Sequence, residues 1–389
     1  MKTRTYLVSF SGEIGIKSPG TRKALQELAV RNFLSRATAA GLFVETKALS
    51  GRLLMKGPPE LKALLLSHFG FGKVAEFYEL SPNDLLSSGF LEEILPERPF
   101  TYVVYVDRVK PKDRFQEVLN LKNTFLAKLE EESRGRLLSV WDNFPPERLE
   151  IRLEAMDHKI FVLMNPKVGV SGLPVGSGER VLTLFSGGPD SLLAALLLAR
   201  RGQEVALLFM DDGEEGRWEA VQQAASELAY FFPGMSLNLY RLPYREILEF
   251  LSSKTPKRER CFFCKATMLK LATELAQREG FSAVGTGEII GEQASQTLPA
   301  LRFTSAVVPG LVLRPLLTFN KEEVFQQLER VGLGEVARRS LPPCPFVPDH
   351  PHTRPVSNAT AVDRIWPKIK NRVKQPERVK VCRGGGLYG

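Results

Sequence analysis

The stretch that decides the fold is Arg180-Val-Leu-Thr-Leu-Phe-Ser-Gly-Gly-Pro-Asp-Ser191, followed by Leu-Leu-Ala-Ala-Leu-Leu-Leu-Ala-Arg-Arg-Gly202. An apolar, β-prone run from Val181 to Phe185 enters a turn of Ser and Gly, and a Leu/Ala run follows at once. That pattern predicts a strand, a tight loop and a helix N-terminus. Gly187 and Gly188 let the backbone approach a ligand without obstruction by Cβ. The free N–H groups of the helix point back at the loop, with the positive end of the helix dipole behind them. Ser186 and Ser191 add hydroxyls, so the assembly reads as a phosphate cradle rather than a plain connector. Arg200-Arg201-Gly202 closes the helix with a cationic last turn and a glycine stop. No Gly-Lys-Ser/Thr follows the glycines, which excludes a Walker A site, and the spacing is not Gly-x-Gly-x-x-Gly.

Working outward, strands and helices alternate. The pattern predicts strands at Val181–Phe185, Glu204–Met210, Ser236–Leu242 and Ala283–Thr286. Helices are predicted at Leu192–Arg201, Trp218–Tyr230, Ala266–Glu279 and Lys321–Val331. This order implies a parallel sheet covered by helices on both faces. Ligands of such sheets lie beyond the carboxyl ends of the strands. The loops at 186–191, 210–216 and 286–297 are therefore expected to converge on one crevice. The last of these, Thr286-Gly-Glu-Ile-Ile-Gly-Glu-Gln-Ala-Ser-Gln-Thr-Leu298, is rich in amide, hydroxyl and acid. Gly287 would allow close backbone approach, and Gln296 could read an adenine edge or a phosphate; a capped helix start with solvated polar residues is the alternative.

Cys261-Phe-Phe-Cys264-Lys265 is placed just before a helix and is flanked by Lys257, Arg258 and Arg260. Such a pair is a redox dithiol, two metal ligands or a coincidence, and the basic surroundings favour thiolate. Cys344 lies in the Pro-rich stretch Leu341-Pro-Pro-Cys-Pro-Phe-Val-Pro-Asp-His-Pro-His-Thr353, which would hold one thiol rigidly. A second Cys-x-x-Cys is absent from the sequence, so a Cys₄ zinc knuckle is poorly supported. Three thiolates with an open position would suit an iron–sulfur cluster with one labile iron. His350 and His352 read as ordinary loop histidines, with metal ligation the alternative, and Cys382 reads as incidental.

Upstream, strand (Thr5–Phe10), helix (Arg22–Ala40), two strands (Leu42–Lys47, Arg52–Met55) and a short helix (Glu60–His68) give the order of a ferredoxin-like α+β unit. A second unit after the Ser81-Pro82 break has strands at Tyr102–Val106, Leu149–Glu154 and Lys159–Asn165 and a helix at Phe115–Glu132. The glycine-rich stretch 169–178 reads as a linker. At 389 residues the chain should hold two or three domains. Its 43% hydrophobic and 25% charged residues describe a globular protein. A formal charge of +9 and a pI near 9.3 suit a polyanionic partner such as RNA. With no apolar signal core and no long apolar run, a cytoplasmic protein without a membrane segment is expected. The four cysteines are then chemical rather than structural disulfides.

Ser-Gly-Gly-x-Asp-Ser resembles the PP-loop of ATP pyrophosphatases, which place AMP on a carbonyl oxygen and let a nucleophile displace it. The chain as a whole resembles the tRNA 4-thiouridine synthetases. The resemblance rests on Gly-Glu-Ile-Gly-Ile-Lys at 12–17, Gly-Leu-Pro-Val-Gly at 172–176 and Ser-Gly-Gly-Pro-Asp-Ser at 186–191. Thr-Gly-Glu at 286–288, Ala-Ser-Gln-Thr-Leu at 294–298, Leu-Arg-Pro-Leu at 313–316 and the Pro-Cys pattern from Pro343 to Thr353 complete it.

The resemblance implies an α/β fold: a parallel-sheet PP-loop (adenine nucleotide α-hydrolase-like) domain preceded by α+β ferredoxin-like and THUMP domains. The implied boundaries are 1–78 (ferredoxin-like), 79–168 (THUMP, RNA-binding), 169–179 (linker), 180–369 (PP-loop) and 370–389 (basic tail). The family's ATP contacts fall on Leu184, Phe185, Ser186, Gly187, Gly188, Asp190, Ser191, Phe209, Met210, Lys265, Gly287 and Gln296. Its sulfur-handling cysteine falls on Cys344. In members with a Cys-x-x-Cys, that pair and the Cys344 equivalent hold a [4Fe–4S] cluster, here Cys261, Cys264 and Cys344. The rhodanese domain of many members is not expected. Leu192-Leu193 stands for the usual Pro-Val, and Phe209-Met210 stands where His-Phe is common. Asp190 is assigned to Mg²⁺ or to orienting the substrate. The implied reaction adenylates O4 of uridine 8 in tRNA and replaces it with sulfur, releasing AMP and pyrophosphate. The implied donor is sulfide or a cysteine desulfurase, and the implied assembly is a homodimer. The alternatives are thiolation of another tRNA base or of a sulfur carrier for thiazole synthesis, an RNA-binding module with an inert ATP site, and a thiol redox protein.

Overall fold

The computed structural model describes residues 3–138, 147–339, 342–384 and 387–388. Leu341 of the Pro-rich stretch, Met1 and Lys2 at the start, and Gly385, Gly386 and Gly389 of the expected tail lie outside the described residues. The chain divides into two compact units.

One unit takes the chain up to Gly15 and then Gly41–Ser171. Its strands are β1 (Arg4–Phe10), β2 (Glu45–Leu49), β3 (Arg52–Gly57), β4 (Phe71–Leu80), β5 (Phe100–Lys110), β6 (Glu147–Met156) and β7 (Lys159–Val168). They form a single sheet in the order β2-β3-β1-β4-β7-β6-β5. All neighbours are antiparallel except β5 and β6. The hairpin between β2 and β3 turns at Ser50 and Gly51, with φ of 47° and 77°. The helices Ser88–Ile94 and Phe115–Glu132 bury Phe90, Leu91, Phe125 and Leu129 in the same core as Ile151, Leu153 and Val162 of the sheet.

This arrangement changes the expected division. The boundary placed at residue 79 falls inside β4, which pairs with β1 along one edge and with β7 along the other. The two small α+β units read from the sequence thus share one sheet. β4 escaped sequence reading because its residues are buried on both sides, so alternation is weak. Ser81-Pro82 is a helix start rather than a mere break. The Ser81 hydroxyl accepts from the Asp84 N–H, and the Asp84 carboxylate accepts in return from the Ser81 N–H.

The other unit comprises Ile16–Ala40 and Gly172–Gly389. The helix Pro19–Ala39, expected to complete the N-terminal domain, therefore belongs here. Its Arg36 is fully buried, donates from Nε to the Tyr230 carbonyl at 2.8 Å, and lies 4.9 Å over the Tyr230 ring. Asn32 donates to the Val175 carbonyl at 2.8 Å. The strands are β8 (Arg180–Leu184), β9 (Glu204–Asp211), β10 (Ser236–Pro243), β11 (Ala283–Gly285), β12 (Val312–Leu313), β13 (Glu377–Cys382) and β14 (Leu387–Tyr388). Their order is β12-β11-β8-β9-β10-β13-β14, parallel from β12 to β10 and antiparallel beyond. After its first residue β9 is buried throughout, as a strand covered on both faces must be.

Two further expectations are corrected. Within the expected tail 370–389, Glu377–Cys382 forms a strand of the sheet: β13 lies beside β10 from Ser236 to Arg241, with Val379 and Val381 buried and Arg378 and Lys380 exposed. The helix expected from Ala266 begins at Arg260, so the Cys-x-x-Cys pair sits within it. The glycine stretch is docked: Leu173 donates to the Arg200 carbonyl, and Gly176 and Gly178 donate to the Gly202 carbonyl, each at 2.9 Å. A Cβ on Gly172 would lie 2.4 Å from the Arg200 carbonyl oxygen, and its φ is +85°. No helix among the described residues is long and apolar enough to cross a membrane.

Candidate active site

Parallel strands deliver their carboxyl ends to one side of a sheet, and the loops that follow them meet there. In this unit those loops surround a cavity of about 460 Å³. Leu184, Phe185, Ser186, Asp190 and Ser191 form the wall after β8. Phe209 and Met210 border it from β9, and Gly287 and Gln296 from the segment after β11. Lys265, Cys264 and Cys344 complete the residues anticipated on the wall. Gly187, Gly188 and Cys261 stand behind it. Gly187 adopts φ +78° and a Cβ there would lie 3.3 Å from Val221, Gly188 caps the helix Pro189–Arg200, and Cys261 is one helical turn before Cys264.

The loop is fixed by its own atoms. The Ser191 hydroxyl accepts from the Ser186 N–H at 3.2 Å and donates to the Gly188 carbonyl at 3.0 Å. Pro189 occupies the first helical turn, where a missing N–H costs nothing. Gly287 is pressed against the loop: a Cβ there would lie 2.6 Å from the carbonyl of Asp190 and 2.9 Å from the Ser191 nitrogen. The glycine of the Thr-Gly-Glu motif is thus required by close backbone approach.

Among the described residues, each carboxylate on the cavity wall is paired with a cation. Asp190 receives the Lys321 ammonium on both oxygens, at 2.8 and 2.9 Å. Asp212 receives Arg217 at 2.6 Å. Glu288 receives Arg314 at 2.7 Å and lies 4.0 Å from Lys265. Burial lowers the Lys265 pKa below the usual lysine range, with Glu288 working against that shift. With the acids neutralised, Lys265 and the helix N-terminus leave the cavity suited to an anion. On the β9 side, Phe209 stacks on Trp218 at 5.9 Å, and Arg241 lies 4.8 Å over the Trp218 ring.

The helix Arg260–Glu279 explains the thiol end. Cys264, Lys265, Met268 and Leu269 line the cavity, and residues three and four apart share one helical face. Burial pushes the Cys264 thiol up to about 12, with the Tyr244 hydroxyl pulling the other way. Burial also raises Cys261, and Cys344 adds to the rise at both positions, so the three sulfurs lie within electrostatic reach of one another. Tyr244, fully buried, donates to the Cys264 carbonyl at 3.1 Å with its hydroxyl 3.8 Å from the sulfur.

No group of three His, Cys, Asp or Glu among the described residues is arranged to hold a single metal ion. A cubane cluster takes one thiolate at each of three separate irons, so its ligands need not converge on one point. Two soft thiols on the cavity wall, Cys264 and Cys344, with Cys261 one turn away on the Cys264 helix, are of the donor type such a cluster takes. His352 stands apart from the cavity, with Nδ1 3.6 Å from Glu259, and the His350 carbonyl accepts from Arg258.

Sequence reasoning missed Asp212, Arg217, Tyr244 and Lys321, and marked Arg314 only as part of the Leu-Arg-Pro-Leu motif, without a role. Asp212 carried a signal, because it follows a strand in a loop expected at the crevice. Lys321 carried none, since nothing local links it to Asp190.

A family model described as "Thiamine biosynthesis protein (ThiI)" matches residues 176–366. A probable tRNA sulfurtransferase of Aeropyrum pernix is 30% identical over 402 aligned positions, which span 100% of this chain and 98% of the relative. The chain belongs to the tRNA sulfurtransferase family. Another member, the tRNA sulfurtransferase of Desulfurococcus amylolyticus, is 29% identical over 96% of this chain and 78% of its own. The fold agrees with a crystal structure of a 4-thiouridine synthetase–RNA complex with bound ATP. The TM-score is 0.79 at 24% identity, over 98% of this chain and 100% of that one.

Proposed function

We propose that this family member is an ATP-dependent tRNA sulfurtransferase that adenylates O4 of uridine 8 and replaces it with sulfur to give 4-thiouridine. The observation that carries the reading is one cavity bordered both by the glycine loop with Lys265 and Gln296 and by the thiols of Cys264 and Cys344. A uracil oxygen is a poor leaving group. Its attack on the α-phosphorus of ATP expels pyrophosphate and converts it into part of AMP. The N–H groups of the loop and Lys265 hold the charge that builds on the phosphates. Gln296, whose Oε1 is buried without a partner among the described residues, supplies an acceptor for the adenine amino group. A sulfur nucleophile then adds to C4, the C4–O bond breaks, and AMP leaves with the oxygen.

Asp190 is already neutralised by Lys321, so the wall does not fit a protein-held Mg²⁺; Mg²⁺ would arrive on the triphosphate as part of the substrate. A [4Fe–4S] cluster held by Cys261, Cys264 and Cys344 would supply an open iron able to carry sulfide. The donor is sulfide, or a cysteine desulfurase that leaves a persulfide on Cys344. In the second case a thiol of the Cys261/Cys264 pair cleaves the S–S bond left on C4, and an external thiol re-reduces the resulting protein disulfide. The enzyme works as a homodimer in the cytoplasm. Excess positive charge on the chain suits tRNA, recognised by shape near the acceptor stem.

The test is pyrophosphate release on adding tRNA, together with mass analysis of tRNA nucleosides from a deletion strain. Loss of 4-thiouridine at position 8 is expected. Asp190, held by Lys321, orients the substrate rather than holding a metal, so Asp190→Ala should lower thiolation by about 100-fold or more while tRNA affinity is retained. Loss of a different thiolated base, or of thiazole synthesis alone, would redirect the reading to the alternative substrates. An active Asp190→Ala enzyme would remove the adenylation role.

A further inference from the structure

We infer that Arg217 is a positioning residue for Cys344, tying the thiol to the nucleotide half of the cavity; this rests on the reading of Cys344 as the sulfur-handling residue. The segment from Pro342 to Asn358 is held to the rest of its unit by hydrogen bonds of three origins: Arg217 upstream, the residues just before Cys261 downstream, and the Thr297 hydroxyl, which donates to the Thr353 carbonyl. The downstream set comes from Arg258, Glu259 and Arg260. Arg260 donates to the Phe346 carbonyl at 3.0 Å and Arg258 to the His350 carbonyl at 2.8 Å. The His352 N–H donates to the Arg258 carbonyl at 2.9 Å, and Glu259 accepts from the Val356 and Ser357 N–H groups at 3.3 and 3.0 Å. All three anchoring residues immediately precede Cys261. This set therefore fixes the segment against the Cys-x-x-Cys helix and does nothing to place it against the nucleotide loop.

The upstream set belongs to Arg217. Its Nη2 donates to the carbonyls of Pro342 and Pro343, at 2.6 and 3.1 Å, the two groups directly before Cys344. Its Nη1 donates to Asp212 at 2.6 Å. Asp212 is 4% exposed and follows β9, the parallel neighbour of the strand that feeds Ser186–Ser191. Proline fixes φ, so holding two successive proline carbonyls sets the direction in which the chain enters Cys344. A planar guanidinium that spans a carboxylate and two carbonyls has no equivalent in lysine. A weaker contact, Arg245 at 5.4 Å over the Phe346 ring, reaches the segment beyond the thiol. The bonds from Arg258, Glu259 and Arg260 set cysteine against cysteine, and Thr297 ties the segment at Thr353 to the chain after β11. Of these anchors Arg217 is the one that holds the thiol's immediate neighbours against the nucleotide half.

The experiment uses the full chain as Arg217→Met and, as a milder variant, Asp212→Asn. Iodoacetamide labelling of Cys344 is followed by mass spectrometry, with Cys382 as internal reference, and thiolation is measured as kcat and as KM for ATP. Arg217→Met should raise Cys344 labelling severalfold with Cys382 unchanged. Its thiolation kcat should fall about 100-fold, the scale of a roughly 1 Å misplacement, with KM for ATP within about twofold. Asp212→Asn should give the same pattern at smaller size. Unchanged Cys344 labelling and unchanged kcat would overturn the inference. So would a raised KM with unchanged kcat, which would make Arg217 a nucleotide contact instead. Should Arg217→Met also expose Cys382, general loosening is at work and the Asp212→Asn readouts decide. Cys344→Ser that still thiolates would end the reading of Cys344 while leaving the labelling result intact.

Discussion

The two ends of the cavity are built by opposite means. The loop Ser186–Ser191 is held by its own backbone and two serines, with a glycine-only contact from Gly287. The segment around Cys344 is held by Arg217, Arg258, Glu259 and Arg260, residues far from it in sequence. The first end is preorganised by local geometry. The second rests on side chains from elsewhere in the chain, an arrangement that would suit the role proposed for Cys344 in taking up sulfur and handing it on.

The sharpest way to break this comparison is the protonation of the thiols. Burial holds Cys264 near 12, so the thiol stays protonated at neutral pH and its nucleophilic form is scarce. In reduced, metal-free protein at pH 8, alkylation of Cys264 should be about 1,000-fold slower than that of a free thiol of pKa near 8.5. The rate should climb about tenfold per pH unit toward the pKa. Rapid labelling at pH 8 would mean that the cysteine end opens, and that its description as packed is mistaken.

The next test strikes the rigid end. Gly287→Ala places a methyl 2.6 Å from the Asp190 carbonyl, where the opposing atoms are backbone. Thiolation should fall about 100-fold as the loop shifts, and stability by about 1–3 kcal/mol. Denaturant unfolding and turnover together check this. A tolerated methyl would show that the loop yields more than its contacts allow.

The smallest effect is expected at Lys321. Lys321→Met leaves the Asp190 carboxylate without its cation. Because the pair is partly exposed, water compensates in part, and activity should fall about tenfold with little loss of stability. Steady-state thiolation kinetics would show it. A variant with full activity would limit Lys321 to a surface ion pair.

Legibility follows the same line. The strand–loop–helix of 180–201 was readable because each piece has a local signature: apolar β-formers, paired glycines, a Leu/Ala run. The convergence of loops 186–191, 210–216 and 286–297 followed from strand parity alone. β4 was not readable because burial on both faces erases alternation, and β13 was obscured because Arg378 and Lys380 made a half-buried strand look like a charged tail. Lys321, Arg217 and Tyr244 reach their partners through the fold, and no neighbouring residue announces them.

The helix Pro19–Ala39 carries a consequence for how the molecule comes into being. It leaves the ribosome early, yet the carbonyls of Val175 and Tyr230 that receive Asn32 and Arg36 lie beyond residue 172. During vectorial synthesis it must wait, with Phe33 and Ala29 uncovered, while an entire sheet is translated in between. Cutting the gene at the glycine stretch would therefore yield a carboxyl-terminal fragment deprived of its own first helix. Complementation with a peptide spanning that helix, rather than a longer fragment, is the remedy the architecture dictates.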